Sequence, residues 1–219
     1  MQEPIRFTFA ISFIPRDVCS NWETAQANLR RTIRSIRGMS RSDYRIVIAC
    51  HELPDLTDIH GSDLELLQAP FAIETDLMRR GADKIRKRRL IGSWLRERVG
   101  EEGAYVMFLD ADDLVHRRLV EHVLHDDNRH SYIAEAGYIF DSTTKLLEKR
   151  VARFYATCGS CFVCWFRKED LPSPSTTRTA SILNLTCIVS LRIWRHSSAG
   201  LRKPFRSPPS FTSPTMAKA

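Results

Sequence analysis

The chain has 219 residues, 43% of them hydrophobic and 9% aromatic, which suits one α/β domain with a substantial core and is short for two. No apolar run approaches the ~18 residues needed to span a bilayer, and Arg6 and Thr8 interrupt the first apolar stretch, so neither a transmembrane segment nor a signal peptide is expected. The net charge of +7 comes from the end of the chain: Leu171 to Ala219 holds seven Lys and Arg and no Asp or Glu, leaving 26 basic against 26 acidic residues before it, which argues against nucleic acid as a partner of the folded body.

In chain order, Phe7 to Ile14 is a near-continuous apolar run ending at Pro15, the pattern of a strand buried on both faces. The period then becomes helical at Ala25, Leu29, Ile33 and Ile36, with Ser20 or Asn21 as a cap and Gly38 at the end. Tyr44 to Cys50 reads as a second buried strand and Leu64 to Gln68 as a short third. A basic helix follows over about Asp83 to Val99, with apolar positions at Ile91, Trp94, Leu95 and Val99. The strand Tyr105 to Leu109 ends abruptly in Asp110-Ala111-Asp112-Asp113, and a helix carrying Leu119, Val120, Val123 and Leu124 comes soon after. Strands alternating with helices imply a mostly parallel sheet covered by helices, with ligands at the carboxyl ends of its strands. Tyr132 to Phe140, a polar turn at Asp141 to Thr144, Lys145 to Phe154 and Cys161 to Phe166 then suggest an antiparallel hairpin region.

Three carboxylates at the end of a buried strand repel one another and need a counter-charge, which a divalent metal supplies most simply. Asp110 and Asp112 could divide the work, one facing a ribose and the other reaching Mg²⁺ or Mn²⁺ that bridges a diphosphate. The plainer alternative has Asp112 and Asp113 capping the following helix. Cys158, Cys161 and Cys164 have spacing that echoes an iron–sulfur run, but a strand would turn positions three apart to opposite faces and no fourth ligand follows, so buried core thiols are expected. The positions of Cys19, Cys50 and Cys187 suggest no disulfide framework, in keeping with a cytoplasmic address that includes the periphery of a membrane.

The order strand, helix, strand ending Ala49-Cys50-His51-Glu52, basic helix, then Met107-Phe108-Leu109-Asp110-Ala111-Asp112-Asp113 resembles the nucleotide-binding half of family 2-like GT-A glycosyltransferases over residues 5 to 170. The resemblance implies a GT-A (Rossmann-like) fold, an Mn²⁺ or Mg²⁺ cofactor, a nucleotide-diphosphate sugar as donor, and an acceptor (saccharide, lipid or protein) that the residues do not identify. It further implies that Pro15 and Arg16 border the base, His51 or Glu52 lies near base or ribose, Lys84 and Arg88 lie near the phosphates, and Asp110 and Asp112 serve ribose and metal. Each has a plainer alternative: the basic residues 84–89 as a solvated helix face, and His51 and Glu52 as the start of a loop. The family's later acceptor-activating carboxylate and late histidine have no evident counterpart, and Glu169-Asp170 suits an exposed loop better than a general base. Two other readings are a haloacid-dehalogenase-like phosphatase, whose strand also ends in D-x-D, and a non-catalytic nucleotide-binding fragment. Leu114 replaces the Thr or Val of the phosphatase signature, and about a hundred residues precede a motif that usually opens that fold.

The domain is expected to span 1–171, and 172–219 to form an irregular tail in which Ser, Thr and Pro supply 21 of the last 49 residues. The loss of acidic residues and of strand–helix logic after Asp170 points to a shifted reading frame. With suitable codons, Phe205 to Ala219 read in the other frame gives a strand-like run followed by a histidine loop. Such a shift would remove the late metal ligand and the catalytic base, leaving a binding half.

Overall fold

A computed structural model of the chain describes residues 4–75 and 80–173. The tail, its proposed frame shift and Cys187 lie outside the described residues. The described chain builds a six-stranded mixed sheet in the order β3-β2-β1-β4-β8-β5, with a separate antiparallel pair β6-β7. Strands β1 (Phe7–Ser12), β2 (Arg45–Cys50), β3 (Leu64–Gln68) and β4 (Ala104–Leu109) run parallel, while β8 (Phe162–Phe166) is antiparallel to both β4 and β5 (Tyr132–Ile133). The fold is therefore α/β with a mostly parallel sheet flanked by helices, as the strand–helix alternation implies.

Alternation along the strands divides the core into two layers. On one face Phe7, Phe9, Ile11, Ile46 and Ile48 pack with Leu29, Ile33 and Ile36 of helix α1 (Trp22–Arg37) and with Leu119, Val120, Val123 and Leu124 of helix α3 (Leu119–Asp126). The opposite face presents Ala10, Val47, Ala49 and Val106 to Ile91 and Leu95 of helix α2 (Arg80–Arg96). These small side chains let α2 come close to the sheet, which is why some of its charged residues are buried. Asn21 caps α1, its side-chain oxygen accepting from Thr24 N at 2.9 Å, and Gly38 closes the helix.

The connection from β2 to β3 contains no α-helix. It is held instead by Arg37 at the end of α1, which forks onto Asp63 at 2.7 and 2.9 Å and donates to the Ile59 carbonyl at 2.6 Å. At the start of β4 the turn needs glycine: Gly103 has φ +85°, and a Cβ there would lie 2.5 Å from the Phe166 carbonyl oxygen.

Several boundaries differ from the sequence expectation: α2 runs Arg80–Arg96 rather than Asp83 to Val99, and the expected strand Lys145 to Phe154 shortens to Leu147–Arg150. Strand β1 stops at Ser12, although Phe13 N still donates to Ala49 O at 2.9 Å before the chain turns away at Ile14 and Pro15. The expected strand Tyr132 to Phe140 is two strands. β5 pairs with β8 in the main sheet, whereas β6 (Gly137–Phe140) pairs with β7 (Leu147–Arg150) across a turn in which Asp141 Oδ1 accepts from Thr143 N and Thr144 N. Helix α3 begins with Arg118 as its N-cap and without a side-chain cap bond, so Asp112 and Asp113 do not cap it.

Candidate functional site

Strand β1 is flanked by β2 on one side and β4 on the other, so the chain's path reverses direction across the sheet at this point. Backbone connections leaving the carboxyl ends of β1 and β4 go opposite ways and open a crevice, the place where open α/β sheets bind ligands. A cavity of about 450 Å³ lies there. Its lining comes from the end of β1 and the following loop (Ser12 to Pro15), the cap and first two turns of α1 (Asn21, Asn28), Glu74, the first half of α2 (Asp83, Lys84, Lys87) and the acidic turn (Asp110 to Asp112). This volume falls within the range of small-molecule sites.

The acidic turn is held from three sides. Asp113 N donates back to Asp110 O at 3.2 Å, closing the turn. The hydroxyl of Thr32, fully buried on α1, lies 2.9 Å from both the Ala111 and Asp113 carbonyl oxygens. From the loop before β8, Ser160 Oγ accepts from Asp110 N at 2.8 Å. The backbone is thus fixed by partners other than the Asp110 and Asp112 carboxylates, and both residues line the cavity.

Lys84 Nζ pairs with Asp110 Oδ1 at 2.5 Å, both side chains about one-third exposed. Asp112 is exposed, and Asp113 is half-buried against the protein. Burial, followed by the charges of Asp112 and Asp110, holds the Asp113 carboxyl above its ordinary value, although bonds from Ser160 and Cys158 partly offset this. Lys84 therefore answers only part of the negative charge that the turn collects.

Behind the cavity lies a buried charged trio. Lys87, 1% exposed, donates to the Phe13 carbonyl at 2.7 Å and pairs with Asp83 Oδ2 at 2.7 Å, while Asp83 Oδ1 lies 2.7 Å from His51 Nε2. Burial lowers the Lys87 pKa. For Asp83, burial acts upward, but the bonds from Lys87 and His51 leave its carboxyl below the ordinary value. The trio ties the ends of β1 and β2 to the start of α2 and shapes the cavity floor.

The expected site residues divide into two groups. Pro15, Lys84, Asp110 and Asp112 line the cavity together. His51 is buried against Asp83, and Glu52 Oε2 accepts from Arg16 N at 3.0 Å, bracing the loop after β1. The Arg16 side chain opens onto an adjoining depression beside Trp22, Leu53 and Asp55. Arg88 is buried with its guanidinium 4.8 Å from the Phe108 ring centre; burial lowers its pKa and the Asp110 charge raises it. It is neither on a solvated helix face nor in the cavity lining. Asp83 and Lys87 were missed as lining residues, although an Asp and a Lys four apart on one helix face are a readable pair.

Among the described residues no group of three or more His, Cys, Asp and Glu side chains forms a metal site. Asp110 and Asp112 are hard oxygen donors, which suits Mg²⁺ or Mn²⁺ taking one or two carboxylates and completing its shell from phosphate oxygens and water. Among the described residues no helix is long and apolar enough to cross a membrane. A scan of the chain against protein-family models finds no match, and neither does a comparison with curated proteins.

Proposed function

We propose that the protein is a GT-A-type glycosyltransferase that binds a nucleotide-diphosphate sugar together with Mn²⁺ or Mg²⁺ at the carboxyl ends of β1 and β4. The observation that supports it most is the meeting of Lys84, Asp110 and Asp112 in one cavity at the reversal point of the sheet. Pro15 and the Ser12 to Pro15 loop border the base, and Asn21 and Asn28 supply hydrogen-bonding groups from α1 and its cap. Asp112 and Asp110 would hold the cation, which neutralises charge developing on the departing diphosphate. Lys84 would exchange Asp110 for a phosphate oxygen when the donor enters, leaving the carboxylate available to metal or ribose.

The test is calorimetric titration of the full chain with a panel of nucleoside diphosphates, with and without Mn²⁺. Metal-dependent binding is expected for at least one base, with affinity reduced about tenfold or more in Asp112→Asn and Lys84→Gln, the scale of one lost charge-assisted contact. Thermal midpoints should change little, because both side chains are substantially exposed. Equal metal-dependent affinity in parent and Asp112→Asn would refute the assignment. Release of inorganic phosphate from a phosphate monoester, with no nucleoside diphosphate released from nucleotide sugars, would favour the phosphatase reading.

A further inference from the structure

The loop that holds the acidic turn carries a pair of cysteines in the arrangement Cys158-Gly159-Ser160-Cys161. Their environments differ. Cys158 is half-exposed between the exposed residues Thr157 and Gly159, whereas Cys161 is 3% exposed. Both thiols are engaged on the same loop: Cys161 Sγ donates to the Cys158 carbonyl at 2.8 Å, and the Cys158 thiol donates to Asp113 Oδ2 at 3.5 Å. The two residues between them touch the carboxylate cluster. Ser160 Oγ accepts from Asp110 N, and a Cβ on Gly159 would be 3.5 Å from Asp110 Oδ2.

We infer that Cys158 and Cys161 are a redox-active dithiol, oxidised reversibly to an intramolecular disulfide by a small-molecule disulfide, and that this oxidation loosens the acidic turn. The Cys158 thiolate attacks one sulfur of the oxidant, forming a mixed disulfide and expelling one thiolate. Cys161 then gives up its proton and attacks the Cys158 sulfur, expelling the second. Two protein thiols are oxidised and one external disulfide is reduced to two thiols, with no other reactant needed. An accessible thiol followed three residues later by a shielded one gives this order of attack: the small oxidant reaches Cys158 first and Cys161 resolves the adduct.

The consequence for the turn follows from the hydrogen bonds. In the disulfide, the Cys158 sulfur has no proton to give Asp113, and Cys161 has none for the Cys158 carbonyl. Asp113, already held against burial and two neighbouring carboxylates, loses a donor. The loop must also move as the sulfurs bond, which shifts Ser160 and Gly159 against Asp110. The remaining described cysteines are placed differently: Cys50 and Cys164 are buried in strands, and Cys19 stands after the short turn at Arg16–Val18. The inference stands without the nucleotide reading, since its readouts need no ligand.

The full chain is equilibrated with oxidised glutathione, unfolded, alkylated and mapped by non-reducing peptide mass spectrometry with fragmentation. The expected result is a Cys158–Cys161 disulfide, with Cys19, Cys50 and Cys164 alkylated, and with a Cys161→Ser variant stopping at a glutathione adduct on Cys158. Amide exchange of the peptide around Asp110 to Asp113 should rise severalfold in the oxidised protein and return on reduction, because the Asp110 N–H bonded to Ser160 reports the loop directly. Free Cys158 and Cys161 after equilibration, or a different pairing, would overturn the inference. A disulfide that forms without changing exchange in that peptide would overturn its link to the turn.

Discussion

Replacing Lys87 with methionine tests whether the buried trio supports the fold and the cavity floor. Methionine keeps most of the length and apolar stem but removes the charge that pairs with Asp83 and the donor that holds the Phe13 carbonyl at 2.7 Å. Asp83, with its side chain 9% exposed, would keep His51 as its side-chain partner among the described residues. Removing one member of a buried ion pair costs about 3–5 kcal/mol. The lower end, about 3 kcal/mol, is expected because His51 remains and the desolvation of Lys87 disappears with it. For a chain of this size that corresponds to a fall in Tm of about 6–12 °C. The pH dependence has a definite sign. The lowered folded pKa of Asp83 contributes stability above its ordinary value near 3.8, and that contribution is lost as the pH falls through the folded value. Without Lys87 the pull is weaker and burial remains, so the deficit should be largest at neutral pH and shrink below about pH 4. Urea denaturation followed by circular dichroism at both pH values measures it, with Asp83→Asn/Lys87→Met as the companion. A deficit below about 1 kcal/mol at neutral pH, or a double variant less stable than Lys87→Met alone, would refute the reasoning.

Three further substitutions probe the site and its frame. Thr32→Val removes the hydroxyl shared by two turn carbonyls; a loss of about 1–3 kcal/mol in urea and faster amide exchange at Asp113 to Val115 are expected. Asp113→Asn should raise Tm at neutral pH: the folded pKa is raised, so the ionised carboxyl costs stability above it, and the difference should vanish near pH 3, below the ordinary carboxylate value. Identical midpoints at neutral pH would contradict that electrostatic account. Gly103→Ala places a Cβ against the Phe166 carbonyl at a positive φ and should cost about 2 kcal/mol or more, read as a lower urea midpoint.

The local pattern in the chain was enough to identify β3 at Leu64–Gln68, to narrow the cap of α1 to Ser20 or Asn21, of which the structure uses Asn21, and to mark the acidic strand end at Asp110. These features depend on periodicity, a cap side chain and a break from apolar to charged residues, all of which are short-range. The same pattern misread α2. Its run of Lys and Arg looks like a solvated face, but Lys87 and Arg88 are buried because Ala10 and Ala49 let the helix close on the sheet and Asp83 and the Phe13 carbonyl meet the Lys87 charge.

From its own order of residues, the chain determined that strands and helices would alternate and that three carboxylates would stand at the end of a buried strand. Tertiary structure alone decided which charged groups share a cavity. Lys84 reaches Asp110 across 26 positions of sequence, Ser160 holds the same residue from 50 positions away, and Thr32 secures the turn from 79 and 81. Such partners are chosen by the order of strands in the sheet, in which β1 separates β2 from β4, and by how closely helices can pack on each face. Hydrophobic periodicity shows that a face is buried, but the partner it meets depends on contacts distant along the chain.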